Sequence, residues 1–428
     1  MKEKYQQQHV EVCAHWEGMS SPILMGILSA TPGRGKQTFS FEYDLEWLAG
    51  PHALELDPDL RLFEGPQYPP DTKQNFGMFL DSAPDRWGRT LMDRREAQRA
   101  REEKRIKRNL LELDYLLGVY DQHRRGALRF RRNSYSPFLD DHGTMASPLW
   151  VRLRDLEYAS LQLESDDAEE KLDYSKWLKM LIAPGGSLGG ARPKAGVVDE
   201  KGSPWIAKFP SRQDTSDIGA WEYLVHKLAK RVGVVVPEVQ IKVFSGAHRT
   251  FLSRRFDRTA SGERIHFASA LTLLGRADGE GASTGASYLN LAELLQARGA
   301  RTTEDLQQLW TRIVFFMCVS NTDDHLRNHG FLRIKKGWAL APAYDMNPVS
   351  AGGGLTLNVS ESDNSQDLNL AREVADYFRV DSANASKIIS KVVTEVAKWQ
   401  EIATELNIPR AEQERMSGAF RLASKNEL

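Results

Sequence analysis

Asp323, Asn328 and Asp345 are the residues whose types and spacing most directly suggest chemistry. They lie in one stretch, residues 320–348, which reads SNTDDHLRNHGFLRIKKGWALAPAYDMNP. Asp323, Asp324, His325 and Asn328 share a polar segment. Two apolar runs follow, 330–334 and 338–341, and Lys335-Lys336-Gly337 between them predicts a hairpin turn. Asp345 comes just after the second run. Acidic and amide side chains at the two ends of a short hairpin converge in space, which is the layout that holds Mg²⁺ against nucleotide phosphates. The chemistry expected is phosphoryl transfer. A solvated connecting loop is the bland alternative for any polar segment taken alone. The combination of helix, loop, hairpin and Asp favours the chemical reading.

The spacing sets out the roles. Protein kinases place a base Asp, a metal-holding Asn five residues later and a metal-holding Asp beyond a hairpin. Asp323 and Asn328 are five apart here, and His325 sits inside the loop, so the correspondence is one of geometry and not of letters. A second rich segment, 183–194, reads APGGSLGGARPK. Its glycines allow backbone N–H groups to approach phosphate without a Cβ in the way. It is neither a Walker A loop nor a dinucleotide fingerprint, and alone it would be read as a flexible turn. A strand at 195–198, a turn and a strand at 205–209 follow, with Lys208 inside the second. A lysine within an apolar strand must snorkel or meet a charge. Glycine loop, strand, turn and strand with Lys is the order of a kinase N-lobe, where that Lys meets phosphates. Glu222, beside the apolar stripe of a helix expected at about 216–231, could orient Lys208, or be a surface ion-pair partner. Residues 250–256 lead into LSRRFDR, where a hinge would lie and Phe256 or its neighbours could cover an adenine.

The elements that position these residues follow from periodicity. Leu306, Leu309, Trp310, Ile313, Val314 and Met317 recur at helical spacing and predict a helix over 303–319 that ends at the polar loop. Phe39, Phe41 and Tyr43 alternate on a strand at 38–43. Helices are expected at 75–80, 85–109, 110–117, 286–297, 374–377 and 385–405, and a short strand at 126–130. Residues 131–170 are the best linker candidate. Between 86 and 108 ten basic residues face four acidic ones, +6 locally. A solvated helix laced with ion pairs accounts for that run, and docking to an acidic partner or DNA backbone is the alternative.

Composition excludes much. With 428 residues, 41% hydrophobic and 27% charged, the chain suits a folded protein of two or three domains. A net charge of −1 offers no global field to recruit nucleic acid or anionic membrane. The two cysteines, Cys13 and Cys318, suggest a reducing compartment and no zinc site. The opening MKEKYQQQHV lacks the apolar core of a signal peptide, and no run is long enough to span a bilayer. A cytoplasmic protein with no membrane partner is expected.

These residues resemble those of the HipA-type serine/threonine kinases, the toxin component of bacterial type II toxin–antitoxin modules. The resemblance is carried by SLGGARPK from Ser187 to Lys194, WIAKF around Lys208, RFDR from Arg255 to Arg258, NTDDHLRN from Asn321 to Asn328, and LAPAYD from Leu340 to Asp345. FEYDLEWL, from Phe41 to Leu48, is similar to the family's small N-terminal subdomain. The resemblance covers nearly the whole chain. It implies an α+β, bilobal protein-kinase-like fold: an extra N-terminal subdomain (1–135), an N-lobe with the Gly-rich loop (136–256) and a mostly α-helical C-lobe (257–428). It implies ATP and Mg²⁺, Asp323 as catalytic base, Asn328 and Asp345 as metal ligands, and Lys208 on the phosphates. Ser187, Gly189, Gly190, Ala191, Phe256, His325 and Asn328 would contact nucleotide. Ser187 would be an inactivating autophosphorylation site. Aminoacyl-tRNA synthetases are among the family's protein substrates, and its usual partner is a helix-turn-helix antitoxin, through which alone it meets DNA. One position departs: Arg254, two before Phe256, stands where familiar members carry an acidic residue. The competing readings are a catalytically weak kinase-fold co-repressor on an antitoxin–DNA complex and a small-molecule kinase. Direct nuclease action ranks last.

Overall fold

The alternating Phe39, Phe41 and Tyr43 build strand β3 (Gln37–Tyr43), on the edge of a sheet that also holds the short strand expected at 126–130. That sheet is antiparallel in the order β3-β2-β1-β4, with β1 (Gln8–Ala14), β2 (Ile23–Pro32) and β4 (Leu128–Arg131). Gly26 of β2 fits only as glycine, because a Cβ there would lie 2.2 Å from the Glu42 carbonyl oxygen. The structure is a computed structural model. It describes residues 7–33, 36–139, 149–182, 190–244, 246 and 248–424. The chain divides into two units, Met1–Arg212 with Asp257–Ala268, and Gln213–Phe256 with Ser269–Leu428.

In the first unit one sheet face is covered by an aromatic cluster. Phe79 of α2 (Gly77–Ser82) lies 5.5 Å from Phe41 and 6.0 Å from Phe130, ring centre to ring centre. The helix expected at 85–109 is shorter in the structure, Arg86–Glu102 (α3). Glu96 accounts for the stop. Its carboxylate takes the Arg105 guanidinium at 2.6 Å and the Arg108 backbone N–H at 3.1 Å, folding the chain back through Lys104 at φ 51°. Four of the ten basic residues of this run form ion pairs: Arg89 with Glu112, Arg101 with Glu169, Arg105 with Glu96 and Glu103, Arg108 with Asp114.

The linker expected at 131–170 contains a packed helix, α5 (Leu153–Leu163), against α6 (Tyr174–Ile182), with Tyr158 edge-on to Trp177 at 6.2 Å. Leu153, Leu156 and Leu163 form its buried face. Strands β5 (Lys194–Val198) and β6 (Pro204–Lys208) form the hairpin expected there. The Asp199 carboxylate fastens its turn by accepting the N–H groups of Lys201 and Ser203 and the Trp205 indole N–H.

The second unit is mostly helical, as expected. Helix α7 (Ile218–Val232) starts on the Asp217 side chain, which accepts the Ala220 N–H, and stops at Gly233, where φ is 99°. A β-hairpin, β7 (Val239–Lys242) with β8 (Thr250–Arg254), follows, and Arg254 pairs with Glu238 at 3.4 Å. Beyond the short strand β9 (Phe267–Ser269) come α8 (Ala270–Leu273), α9 (Tyr288–Arg298) and α10 (Thr302–Val319). Strands β10 (Gly330–Ile334) and β11 (Gly337–Leu340) form the predicted hairpin. The helix expected over 385–405 is two, α12 (Ser382–Val396) and α13 (Trp399–Glu405), and 375–378 is a 3₁₀ turn. Among the described residues no helix is long and apolar enough to cross a membrane.

Candidate active site

Helix α10 carries the site. Its apolar stripe is fully buried and is interrupted by two charged residues, Asp305 and Arg312, which face the hairpin. The Asp305 carboxylate accepts the Leu340 N–H at 3.0 Å, and Arg312 donates to the Ala341 carbonyl at 2.6 Å. Full burial draws Arg312 down to about 10, which leaves it cationic at neutral pH. Burial raises Asp305. These contacts fix the chain just before Tyr344-Asp345. The helix ends at Ser320 in the left-handed conformation, φ 48°. Asp345 has φ 56°, so the two loops that carry the candidate residues each begin or end on a conformation that non-glycine residues adopt uncommonly.

The loops are tied to each other. The Val349 N–H donates to the Ser320 carbonyl at 3.0 Å and the Asn347 N–H to Asn321 Oδ1 at 3.0 Å. Asn347 Nδ2 reaches Asp345 Oδ1 at 3.4 Å. Asn328 Nδ2 donates to the Asp323 carbonyl at 3.0 Å, closing the polar segment into a single turn of loop around His325 and the 3₁₀ turn Leu326–Asn328. The Tyr344 hydroxyl donates to the Arg327 carbonyl at 2.7 Å, and the Tyr344 ring lies 5.5 Å from that of Phe256. The second unit thus brings Asp323, His325, Asn328, Asp345 and Phe256 onto one set of loops.

The two adjacent aspartates differ completely. Asp323 is exposed, whereas Asp324 is 1% exposed and committed. Its carboxylate accepts the Tyr288 hydroxyl proton in a hydrogen bond and lies 2.9 Å from His329 Nε2. Burial, and then the Asp324 charge, hold the Tyr288 hydroxyl well above its ordinary range, so it stays a donor. The His329 carbonyl in turn accepts the Ala270 N–H at 2.8 Å. Asp324 therefore anchors the loop, and Asp323 is the exposed carboxylate of the pair.

Sequence reading missed Asp324, Tyr288, Asn321, Asp305 and Arg312 as the residues that hold the site. The charged pair on the apolar stripe of α10 was a usable signal. Tyr288, thirty-six residues from Asp324, gave none.

Of the other expected residues, all but Glu222 belong to the first unit. Lys208 ends β6, half-buried, opposite Lys194 in the hairpin register. Gly190, at φ 87°, and Ala191 are exposed just before β5. Lys194 is buried, with its Nζ 2.9 Å from Asp85 Oδ2 at the start of α3. Glu222 is buried on α7 in the second unit. Ser187 and Gly189 lie outside the described residues.

Among the described residues no three His, Cys, Asp or Glu side chains cluster as a metal cage. Asn328 and Asp345 carry side-chain oxygens, the donor type that Mg²⁺ takes, on loops that are hydrogen-bonded together.

Comparison with known proteins places the chain in a family. The model of the HipA-like C-terminal domain matches residues 186–400, and the chain belongs to that family. Among curated relatives, it is 30% identical to "Putative kinase Y4dM" of Sinorhizobium fredii over 158 residues, 34% of this chain and 37% of that protein. It is 26% identical to a "Putative kinase" of Haemophilus influenzae over 185 residues, 39% of this chain and 53% of that one. The chain thus spans about a third to a half of the length of these relatives. The mixed α/β fold is that of the HipA toxin of Shewanella oneidensis MR-1, solved with HipB and its operator DNA. The TM-score is 0.65 at 18% identity, over 97% of this chain and 95% of that one.

Proposed function

We propose that this protein is an ATP-dependent serine/threonine protein kinase and the toxin of a bacterial toxin–antitoxin module. The observation that carries the reading is the division of labour at 323–324: an exposed carboxylate beside a buried, fully committed one, on a loop hydrogen-bonded to those bearing Asn328 and Asp345. Family membership and the names of the curated relatives support it. Bound Mg-ATP would supply the γ-phosphoryl group and neutralise its developing charge. Asp323 accepts the proton of the attacking hydroxyl through its exposed carboxylate and orients that oxygen. Asn328, whose amide nitrogen donates to the Asp323 carbonyl, and Asp345 would hold the metal through their side-chain oxygens. Lys208 and the Gly190-Ala191 backbone would contact the phosphates and Phe256 the base, as the family resemblance implies.

Ser187 would be an inactivating autophosphorylation site, as the family resemblance implies. The bilobal division at 136–256 and 257–428, with a subdomain at 1–135, is part of the same proposal, as is a cytoplasmic location. The HipA of Shewanella oneidensis was solved with HipB and operator DNA. That likeness supports an antitoxin partner; that it is a helix-turn-helix protein, and that the substrate is a translation protein such as an aminoacyl-tRNA synthetase, is what the family resemblance implies.

Inducible expression in a bacterial host, with phosphoproteomes of wild type and Asp323→Asn compared, tests the reading. New phosphosites on a translation protein with wild type alone are expected, and identical phosphoproteomes would contradict it. Mass spectrometry of the 183–194 peptide after incubation with Mg-ATP should find one phosphate on Ser187. A wholly unmodified peptide rejects the autophosphorylation.

A further inference from the structure

The residue that starts the catalytic loop is held from a distant part of the chain. The Ser320 hydroxyl lies 2.8 Å from the Ala419 carbonyl and 3.2 Å from Gln366 Oε1, and it accepts from Arg421 Nη1 at 3.1 Å. Arg421 also donates through Nη2 to Gln366 Oε1. Ser320 is fully buried and left-handed, a conformation that needs support from its surroundings. The same segment meets the second site loop. A Cβ on Gly418 would lie 2.9 Å from the Ser350 carbonyl oxygen, so backbone meets backbone there.

Between those contacts, Phe420 is stacked on Trp399 at 4.5 Å and lies 6.2 Å from Trp221 of α7. Just upstream, the buried Glu412 accepts the Trp221 indole N–H at 2.6 Å and the Asp217 N–H at 2.9 Å, at the start of α7. Residues 418–421 therefore touch α7, the entry to the Asp323 loop and the exit of the Asp345 loop.

We propose that this segment, the 3₁₀ turn Ser417–Phe420 with the helical turn Arg421–Ser424, is a strut that sets the mutual position of the two site loops, and that Arg421 is its positioning residue. Arg421 touches no reacting group. It acts through Ser320 and Gln366, with a planar fork that bonds both oxygens at once. Loosening it lets Ser320 leave its left-handed conformation, and Asp323 and Asp345 then lose their register. A shift of about 1 Å in a reacting group, transmitted from a remote site, lowers turnover by up to about 100-fold.

The inference rests on the kinase reading only for its activity readout. The test compares wild type, Arg421→Ala, Arg421→Lys and Arg415→Ala in the full chain. Arg415 is an exposed arginine on the preceding helix, α14 (Arg410–Met416), and serves as a matched control. Two readouts are taken: steady-state phosphotransfer with Mg-ATP, and backbone hydrogen exchange of peptides covering 318–329 and 344–352.

For Arg421→Ala the expected result is about a 10- to 100-fold fall in kcat with KM for ATP within about twofold. Exchange should quicken in both peptides, Lys should restore part of both readouts, and Arg415→Ala should match wild type. Unchanged exchange in both peptides overturns the strut, and so does a fall in Arg415→Ala as large as in Arg421→Ala. If wild type transfers no phosphate, the kinase reading fails on its own, and exchange decides the strut in either direction. Gly418→Ala keeps the test open should Arg421→Ala not fold. Its added methyl must displace the Ser350 backbone, so quickened exchange confined to 344–352 supports the strut, and none there counts against it.

Discussion

The two units bury their polar side chains for different ends. In the first, Asp121 is 1% exposed and closes on Arg129 at 2.7 Å and Arg264 at 2.9 Å. Those two cations bring its carboxyl below the usual range although burial works the other way. Next to it the buried Arg124 donates to the Ser82, Leu116 and Val119 carbonyls, with its guanidinium 4.5 Å above the Phe130 ring. Every named partner is another structural group, so the network stitches helices to the sheet. In the second unit the buried Asp305, Arg312, Ser320, Asn321 and Asp324 hold loop backbone or each other's supports, while their neighbour Asp323 is exposed and Asn328 and Asp345 are half-buried. The lesson is that burial of a charge does not mark a site. What marks it is an exposed acid beside a buried one that is already spent.

The contrast can be broken first at the metal. Asp345→Ala should cut Mg-dependent phosphotransfer by about 1,000-fold, roughly 4 kcal/mol of barrier, while the melting temperature stays within about 2 °C of wild type. Activity within tenfold of wild type removes Asp345 from the site. Next in size is Arg124→Met in the first unit. Three carbonyls lose charged donors in a dry environment, so urea denaturation should show a loss of about 3 kcal/mol, with Mg-ATP affinity of the folded protein unchanged. A loss under about 1 kcal/mol would make that network ornamental.

The smallest effect concerns Asp57, fully buried in the first unit and raised to about 6, by burial above all. Its folded carboxyl holds the proton more tightly than the unfolded one. The stability it lends is full below about pH 4 and is lost as pH rises through about 6. Asp57→Asn should flatten that part of the stability–pH curve, measured by melting between pH 4 and 7.5. An unchanged slope would place the titration elsewhere.

Much of the second unit's site was legible because its signals are local. The apolar stripe of α10 and the Lys-Lys-Gly turn fixed helix, loop and hairpin, and Asp345 had to follow. Strands β1 and β2 were not read. β1 alternates only from His9 to Val12 before Cys13 and Ala14 are buried in succession, and β2 runs nearly continuously apolar, so neither alternates cleanly over enough residues. Helix α5 was hidden by the polar cluster before it, although Leu153, Leu156 and Leu163 are spaced for a helix face. The distinction between Asp323 and Asp324 could not be read locally. It is made by Tyr288, in another helix, and by the buried His329, just before β10.

That distinction is the centre of the account, and one paired measurement addresses it. Asp323→Asn and Asp324→Asn are each assayed for transfer of labelled phosphate from ATP and for thermal melting. Asp323→Asn should melt like wild type and lose at least about 1,000-fold in transfer, whereas Asp324→Asn should melt several degrees lower. Transfer near the wild-type rate in Asp323→Asn, with the folded state intact, would contradict it.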